Sequence, residues 1–152
     1  PNYYYKISYL ETNGGSIKLE RYNDLADTSP QTVLDFKSVD NSYSIPLFIL
    51  EFLREYEDTS TGVLEKVKEW VESPTADELR DVKAVRVGFV LLADKDRNVN
   101  TGTGLSAIDA DYCPFTGKDV QCYTLTNPNK NAFVFGRVVY LKNFDYLRKS
   151  SL

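Results

Sequence analysis

The stretch Asp81-Val-Lys-Ala-Val-Arg-Val-Gly-Phe-Val-Leu-Leu92 decides how this 152-residue chain is read. Val85, Val87, Phe89 and Leu91 fall on one side of an extended segment, while Ala84, Gly88 and Val90 make the other side nearly apolar. Alternation of this kind predicts a strand over residues 82–93 with both faces covered. Working outward, Phe133-Val-Phe-Gly-Arg-Val-Val-Tyr-Leu-Lys-Asn143 predicts a second strong strand over 132–143 that pairs with the first. Ile45-Pro-Leu-Phe-Ile-Leu-Glu-Phe-Leu-Arg-Glu-Tyr-Glu-Asp58 carries an apolar run over 47–56 whose periodicity fits strand or helix, and strand is preferred.

Toward the N-terminus, Tyr3-Tyr-Tyr-Lys-Ile-Ser-Tyr-Leu10 and Ser16-Ile-Lys-Leu-Glu-Arg-Tyr22 flank Asn13-Gly14-Gly15. Glycine and asparagine tolerate the positive backbone angles of a tight turn, so this reads as a β-hairpin. Residues 23–31 read as a loop, and a short strand is expected around Thr32 to Phe36. Val63, Leu64, Val67, Trp70 and Val71 recur at helical spacing behind the cap candidates Thr59, Ser60 and Thr61, which predicts a helix that ends before Pro74. Thr75-Ala-Asp-Glu78 has the capping-box pattern of one more helical turn. Residues 94–131, rich in Gly, Asn, Asp, Thr and Pro, read as a long loop-dominated excursion. The expected architecture is one α+β domain over 1–152, a mainly antiparallel sheet with one or two short helices.

Composition narrows the function. With 22 acidic against 18 basic residues the net charge is -4, which disfavours nucleic acid as the primary ligand. No window approaches the roughly 18 uninterrupted apolar residues that span a bilayer. The chain has no histidine, so histidine-dependent nucleophilic catalysis and histidine-ligated zinc are excluded. It has no methionine either, and the expectation is that an N-terminal segment precedes Pro1. The two cysteines, Cys113 and Cys122, are wrongly spaced for a redox or zinc pair. A bond between them would close a ten-residue loop, worth about 2.7 kcal/mol by chain entropy, and would imply an oxidising compartment; the alternative is two buried free thiols.

Three further groups carry candidate chemistry. Asp94, Asp96, Asn98 and Asn100 alternate as calcium ligands do, but Val99 and Leu105 stand where an EF-hand needs glycine and glutamate; the alternative is a solvated turn. Asp109 and Asp111 are a possible carboxylate pair or a loop surface. The run Tyr3 to Tyr5 offers a sugar-binding or protein-binding face, unless alternation buries Tyr3 and Tyr5 on one side while Tyr4 covers an edge. No catalytic constellation emerges, and no cofactor other than calcium is suggested.

Several of these segments, in order, resemble the C-terminal half of PilW-type minor pilins of type IV pili. Tyr3-Tyr-Tyr-Lys-Ile and Leu19-Glu-Arg21 match an aromatic strand and a Leu-x-Arg strand. Leu47 to Tyr56 matches an apolar segment ending at a tyrosine, Val82-Lys-Ala-Val-Arg-Val87 a Val-x-Ala-Val-Arg-Val strand, and Val138-Val-Tyr-Leu-Lys-Asn143 a closing Leu-Arg-Asn with lysine for arginine. The J-class pseudopilins of type II secretion share this organisation. The family's processing site and long apolar helix are not in this chain, and Phe144 to Leu152 runs past the usual end. The resemblance implies a non-enzymatic, pilin-like domain in the periplasm, anchored at the inner membrane by the missing helix and later part of an extracellular filament. Its implied partners are other pilin and minor pilin subunits. The rival reading is a secreted adhesin-like module that grips a glycan or protein surface.

Overall fold

The computed structural model describes residues 3–11, 14–37, 43–95 and 106–141. Asn13, the calcium candidates Asp96, Asn98 and Asn100, and the segment from Lys142 onward lie outside them. The described residues hold nine strands in order: β1 (Tyr4–Leu10), β2 (Ser16–Tyr22), β3 (Gln31–Lys37), β4 (Tyr43–Asp58), β5 (Glu65–Val71), β6 (Val82–Asp94), β7 (Asp111–Tyr112), β8 (Tyr123–Thr124) and β9 (Lys130–Tyr140). They form a three-stranded sheet β1-β2-β3, a four-stranded sheet β5-β4-β6-β9 and the small pair β7-β8. The predicted β1–β2 hairpin, the strand after it and the adjacency of 82–92 with the last strand are all present. No α-helix occurs among the described residues, so the expected α+β class gives way to a nearly all-strand fold.

Residues 63–71 differ most from the expected helix. The segment is not a helix but β5, antiparallel to β4 with Leu53 opposite Trp70, Arg54 opposite Glu69 and Tyr56 opposite Val67. Val67, Trp70 and Val71 fit both periods over so short a run, and pairing with β4 decides between them. Thr59 to Thr61 are not a helix cap but part of the hairpin turn. There Ser60 N–H donates to Asp58 Oδ1 at 2.8 Å, Gly62 N–H to the Thr59 carbonyl at 3.0 Å, and Gly62 takes a φ of 79°. The capping box is realised reciprocally: Thr75 N–H donates to Glu78 Oε2 at 2.8 Å and Glu78 N–H to Thr75 Oγ at 3.4 Å. It opens a single 3-10 turn, Glu78–Asp81.

The chain divides into two compact units, 1–48 with 89–135 and 49–88 with 136–152. In the first, the core gathers Val90, Leu92 and Leu125, with Leu47, Tyr112, Tyr123 and Ala132 packed on it. The same unit also buries Ile17 and Ile45; Tyr9 stacks on Phe48 and its hydroxyl donates to the Ile45 carbonyl at 2.7 Å. In the second unit, Arg86 is buried among strands, its guanidinium paired with the Glu51 carboxylate and lying 4.4 Å from the Trp70 ring centre.

Burial along β6 alternates strictly, with Val82, Ala84, Arg86, Gly88, Val90 and Leu92 inside. The expectation that both faces are covered therefore holds for one of them. Val85, Val87, Phe89 and Leu91 are only half-buried, and the better-covered side is the one that carries Arg86.

Candidate functional site

The sequence-derived candidates separate rather than converge. Of the calcium set only Asp94 is described, and it pairs with Lys130 at 2.7 Å. Asp109 sits at φ 58° with its N–H donating to the Leu125 carbonyl at 2.8 Å, while the Asp111 carboxylate accepts the Thr124 hydroxyl. Both are tied to the β7–β8 ladder. Among the described residues, no group of three His, Cys, Asp or Glu side chains is placed to hold a metal ion.

Cys113 and Cys122 form the expected disulfide. It ties off a loop containing Pro114 and Gly117, the latter at φ 131°. Reducing it in the folded protein is expected to cost about 2–3 kcal/mol. A urea titration with and without reductant, compared with a Cys113→Ser/Cys122→Ser variant, reads this directly.

A larger ionic group, not foreseen from sequence, surrounds Arg54 in the second unit. Its guanidinium lies 3.0 Å from Glu69, 2.7 Å from Glu78 and 3.7 Å from Asp81, and rests over the Tyr56 ring. One cation answers three carboxylates drawn from β5 and the 3-10 turn, so the cluster fastens that turn to β4. A shallow cavity of about 210 Å³ lies nearby, lined by Glu55, Tyr56, Lys66, Lys68 and Lys83 among others. Lys68 is already paired with Glu55 at 2.8 Å.

Electrostatics sets an expected pH profile. Asp27 is held below its ordinary pKa by the Asn23 and Ser29 backbone N–H groups, Asp58 by that of Ser60, Glu78 by that of Thr75, and Glu20 by the Lys18 ammonium. A depressed folded-state pKa contributes stability that is present above the ordinary carboxylate range and lost as pH falls through the folded value. At the other end, Lys18 and Lys68 are raised by their bonds to Glu20 and Glu55, and Tyr9 by burial and then by Glu11. Their contribution is lost as pH rises. Urea midpoints are expected to be flat near neutrality, to fall below about pH 4 and to fall again above about pH 10. A midpoint that keeps rising below pH 4 would contradict these assignments.

The tyrosine run is placed differently from the expected burial of Tyr3 and Tyr5. Tyr3, Tyr4 and Tyr5 are 44%, 40% and 60% exposed. Tyr3 is covered in part by the Arg21 guanidinium, 4.7 Å from its ring centre. Tyr4 lies opposite Tyr22 across the β1–β2 ladder. Apolar exposure also marks β9, an edge strand of the four-stranded sheet. In the first unit Phe133 and Phe135 are 47% and 48% exposed although Phe135 stacks on Phe89; in the second Val138, Val139 and Tyr140 are exposed as well.

No protein-family model and no curated protein matches the chain. Among solved structures, it is similar to a type IV-like pilin, TTHA1219 from Thermus thermophilus. The TM-score is 0.48 with 15% sequence identity, over 90% of this chain and 65% of that one. The chain thus spans 65% of the length of that solved structure.

Proposed function

We propose that this chain is a structural domain of a pilin-like subunit, a PilW-like minor pilin that primes or caps a type IV pilus through contacts with other pilin subunits. The observation that carries the reading is the apolar exposure along β9. A long edge strand with Phe133, Phe135, Val138, Val139 and Tyr140 at the surface is an aggregation hazard in a free monomer. In a subunit whose work is assembly, the same strand is a contact surface. By contrast the other edge, β5, is studded with Glu65, Lys66, Lys68 and Glu69, the charges that discourage stray pairing. The order of motifs resembling PilW-type pilins adds the filament context, and the disulfide suits the periplasm and the cell exterior. Partner contacts are assigned to the described part of the 94–131 excursion as well as to β9.

The test is incorporation. In cells carrying the full-length gene, the subunit is expected in filaments sheared from the surface, and Val139→Lys/Tyr140→Lys is expected to lower filament number several-fold without lowering the urea midpoint. Normal filament numbers in a strain without the gene would overturn the reading.

A further inference from the structure

We infer that the open end of the β1–β2 hairpin is a carbohydrate-binding site for neutral hexopyranosides, independent of the filament role. A groove of about 300 Å³ there is lined by Tyr4, Tyr5, Lys6, Tyr22, Asp24 and Leu25, all in the first unit. Its volume sits at the lower end of small-ligand sites, roughly 300 Å³ upward, which suits one sugar ring of a longer chain.

Of the groove lining, Tyr4, Lys6 and Tyr22 belong to the polar face of the hairpin, while Tyr5 alternates away from them on the edge strand β1. Residues alternating with Tyr4 on β1 are Lys6 and Ser8, opposite Glu20 and Lys18, and the apolar partners Ile7, Leu19, Tyr9 and Ile17 point the other way. Tyr4 and Tyr22 thus stand on a face that builds no core. Directly opposed residues place their Cβ atoms about 5 Å apart, so both tyrosines reach the same groove, the Tyr22 hydroxyl resting 3.5 Å from Glu20 Oε2. Rings in this setting offer a flat apolar surface with a hydroxyl at the tip, at low conformational cost. The C–H face of a pyranose matches that surface and its hydroxyls match the rim.

The rim is fixed in advance. Ala26 N–H donates to Asp24 Oδ1 at 2.8 Å, Asp27 N–H to the Asp24 carbonyl at 3.3 Å, and Asp27 Oδ2 accepts from both the backbone and side-chain nitrogens of Asn23. This ordered turn holds Leu25 83% exposed at the groove, a position that gives the domain nothing in its own packing. Lys6 supplies a donor and Asp24 an acceptor. The lining thus carries one charge of each sign, which favours neither an anionic nor a cationic ligand, hence the neutral sugar.

The experiment is a ¹H–¹⁵N NMR titration of the folded, oxidised protein with lactose, maltose and N,N′-diacetylchitobiose at millimolar concentrations. At least one is expected to shift the amides of Tyr4, Lys6, Tyr22 and Asp24 in a saturable way. Tyr4→Leu and Tyr22→Leu keep apolar bulk but lose the flat ring, and each is expected to weaken binding roughly three- to tenfold. Tyr4→Phe keeps the ring and is expected to stay within about threefold. The unliganded spectrum of each variant reports its fold. No saturable shift with any sugar, shifts mapping elsewhere, or equal affinity for the leucine variants would each overturn the site. So would a preference for an extended peptide over all three sugars, which would mark strand addition to the β1 edge instead.

Discussion

Arg86→Ala is expected to destabilise the protein by roughly 3–5 kcal/mol, because it strands the Glu51 carboxylate in a buried site. The side chains of Arg86 and Glu51 are only 11% and 12% exposed, and they pair across the strands β6 and β4, with the guanidinium against Trp70. The loss combines an unpaired buried charge with a gap beside the indole. Removing both charges together tells a different story: Glu51→Leu/Arg86→Met fills similar volume without ions and is expected to be near neutral, or even stabilising. Urea unfolding of Glu51→Leu, Arg86→Met and their double variant closes the cycle, with Arg86→Ala measured beside it. If the double variant is as unstable as Arg86→Ala, the pair is not what holds this part of the sheet.

Gly15→Ala is expected to cost roughly 2–5 kcal/mol. Gly15 follows Gly14 in the first hairpin, and both take a φ of 85°. A Cβ on Gly15 would lie 2.3 Å from the Ile45 carbonyl oxygen and 3.0 Å from its carbon. That carbonyl belongs to a fully buried residue and accepts the Tyr9 hydroxyl, so neither the backbone nor the bond can yield locally. Gly14→Ala supplies the control: it has the same backbone angle, but the nearest atom its Cβ would meet is the Ser44 Cβ at 3.3 Å, with backbone no closer than 3.8 Å. Its cost is expected at about 1–2 kcal/mol. Equal losses at the two positions would mean that the turn angle, and not the approach of β4, is what requires glycine at residue 15.

Much of the strand order was legible because its signals are local. Gly14 and Gly15 mark the first hairpin, and the run from Val82 to Leu92 alternates too regularly to be anything but extended. Residues 63–71 were not legible, since Val67, Trp70 and Val71 satisfy two periods and the deciding contact, Leu53 against Trp70, joins distant parts of the chain. The overlooked cue was Asp58 with Gly62, which together make a hairpin turn. Arg86 shares the side of its strand with Ala84, Gly88 and Val90, and that a charge is buried there depends on Glu51, 35 residues earlier. The tyrosines went the same way. Alternation suggests that Tyr3 and Tyr5 share a side, but β1 begins only at Tyr4, and whether anything covers that side is a property of the tertiary structure. The disulfide needed only two cysteines and a flexible loop between them.

The measurement that bears most directly on a pilin-type role is the N-terminal sequence and intact mass of the native protein. A pilin-type subunit predicts an apolar stretch of about 20 residues upstream of Pro1, ending in a methylated N-terminus. A native N-terminus at Pro1 itself would contradict that role and favour the rival reading of a secreted binding module.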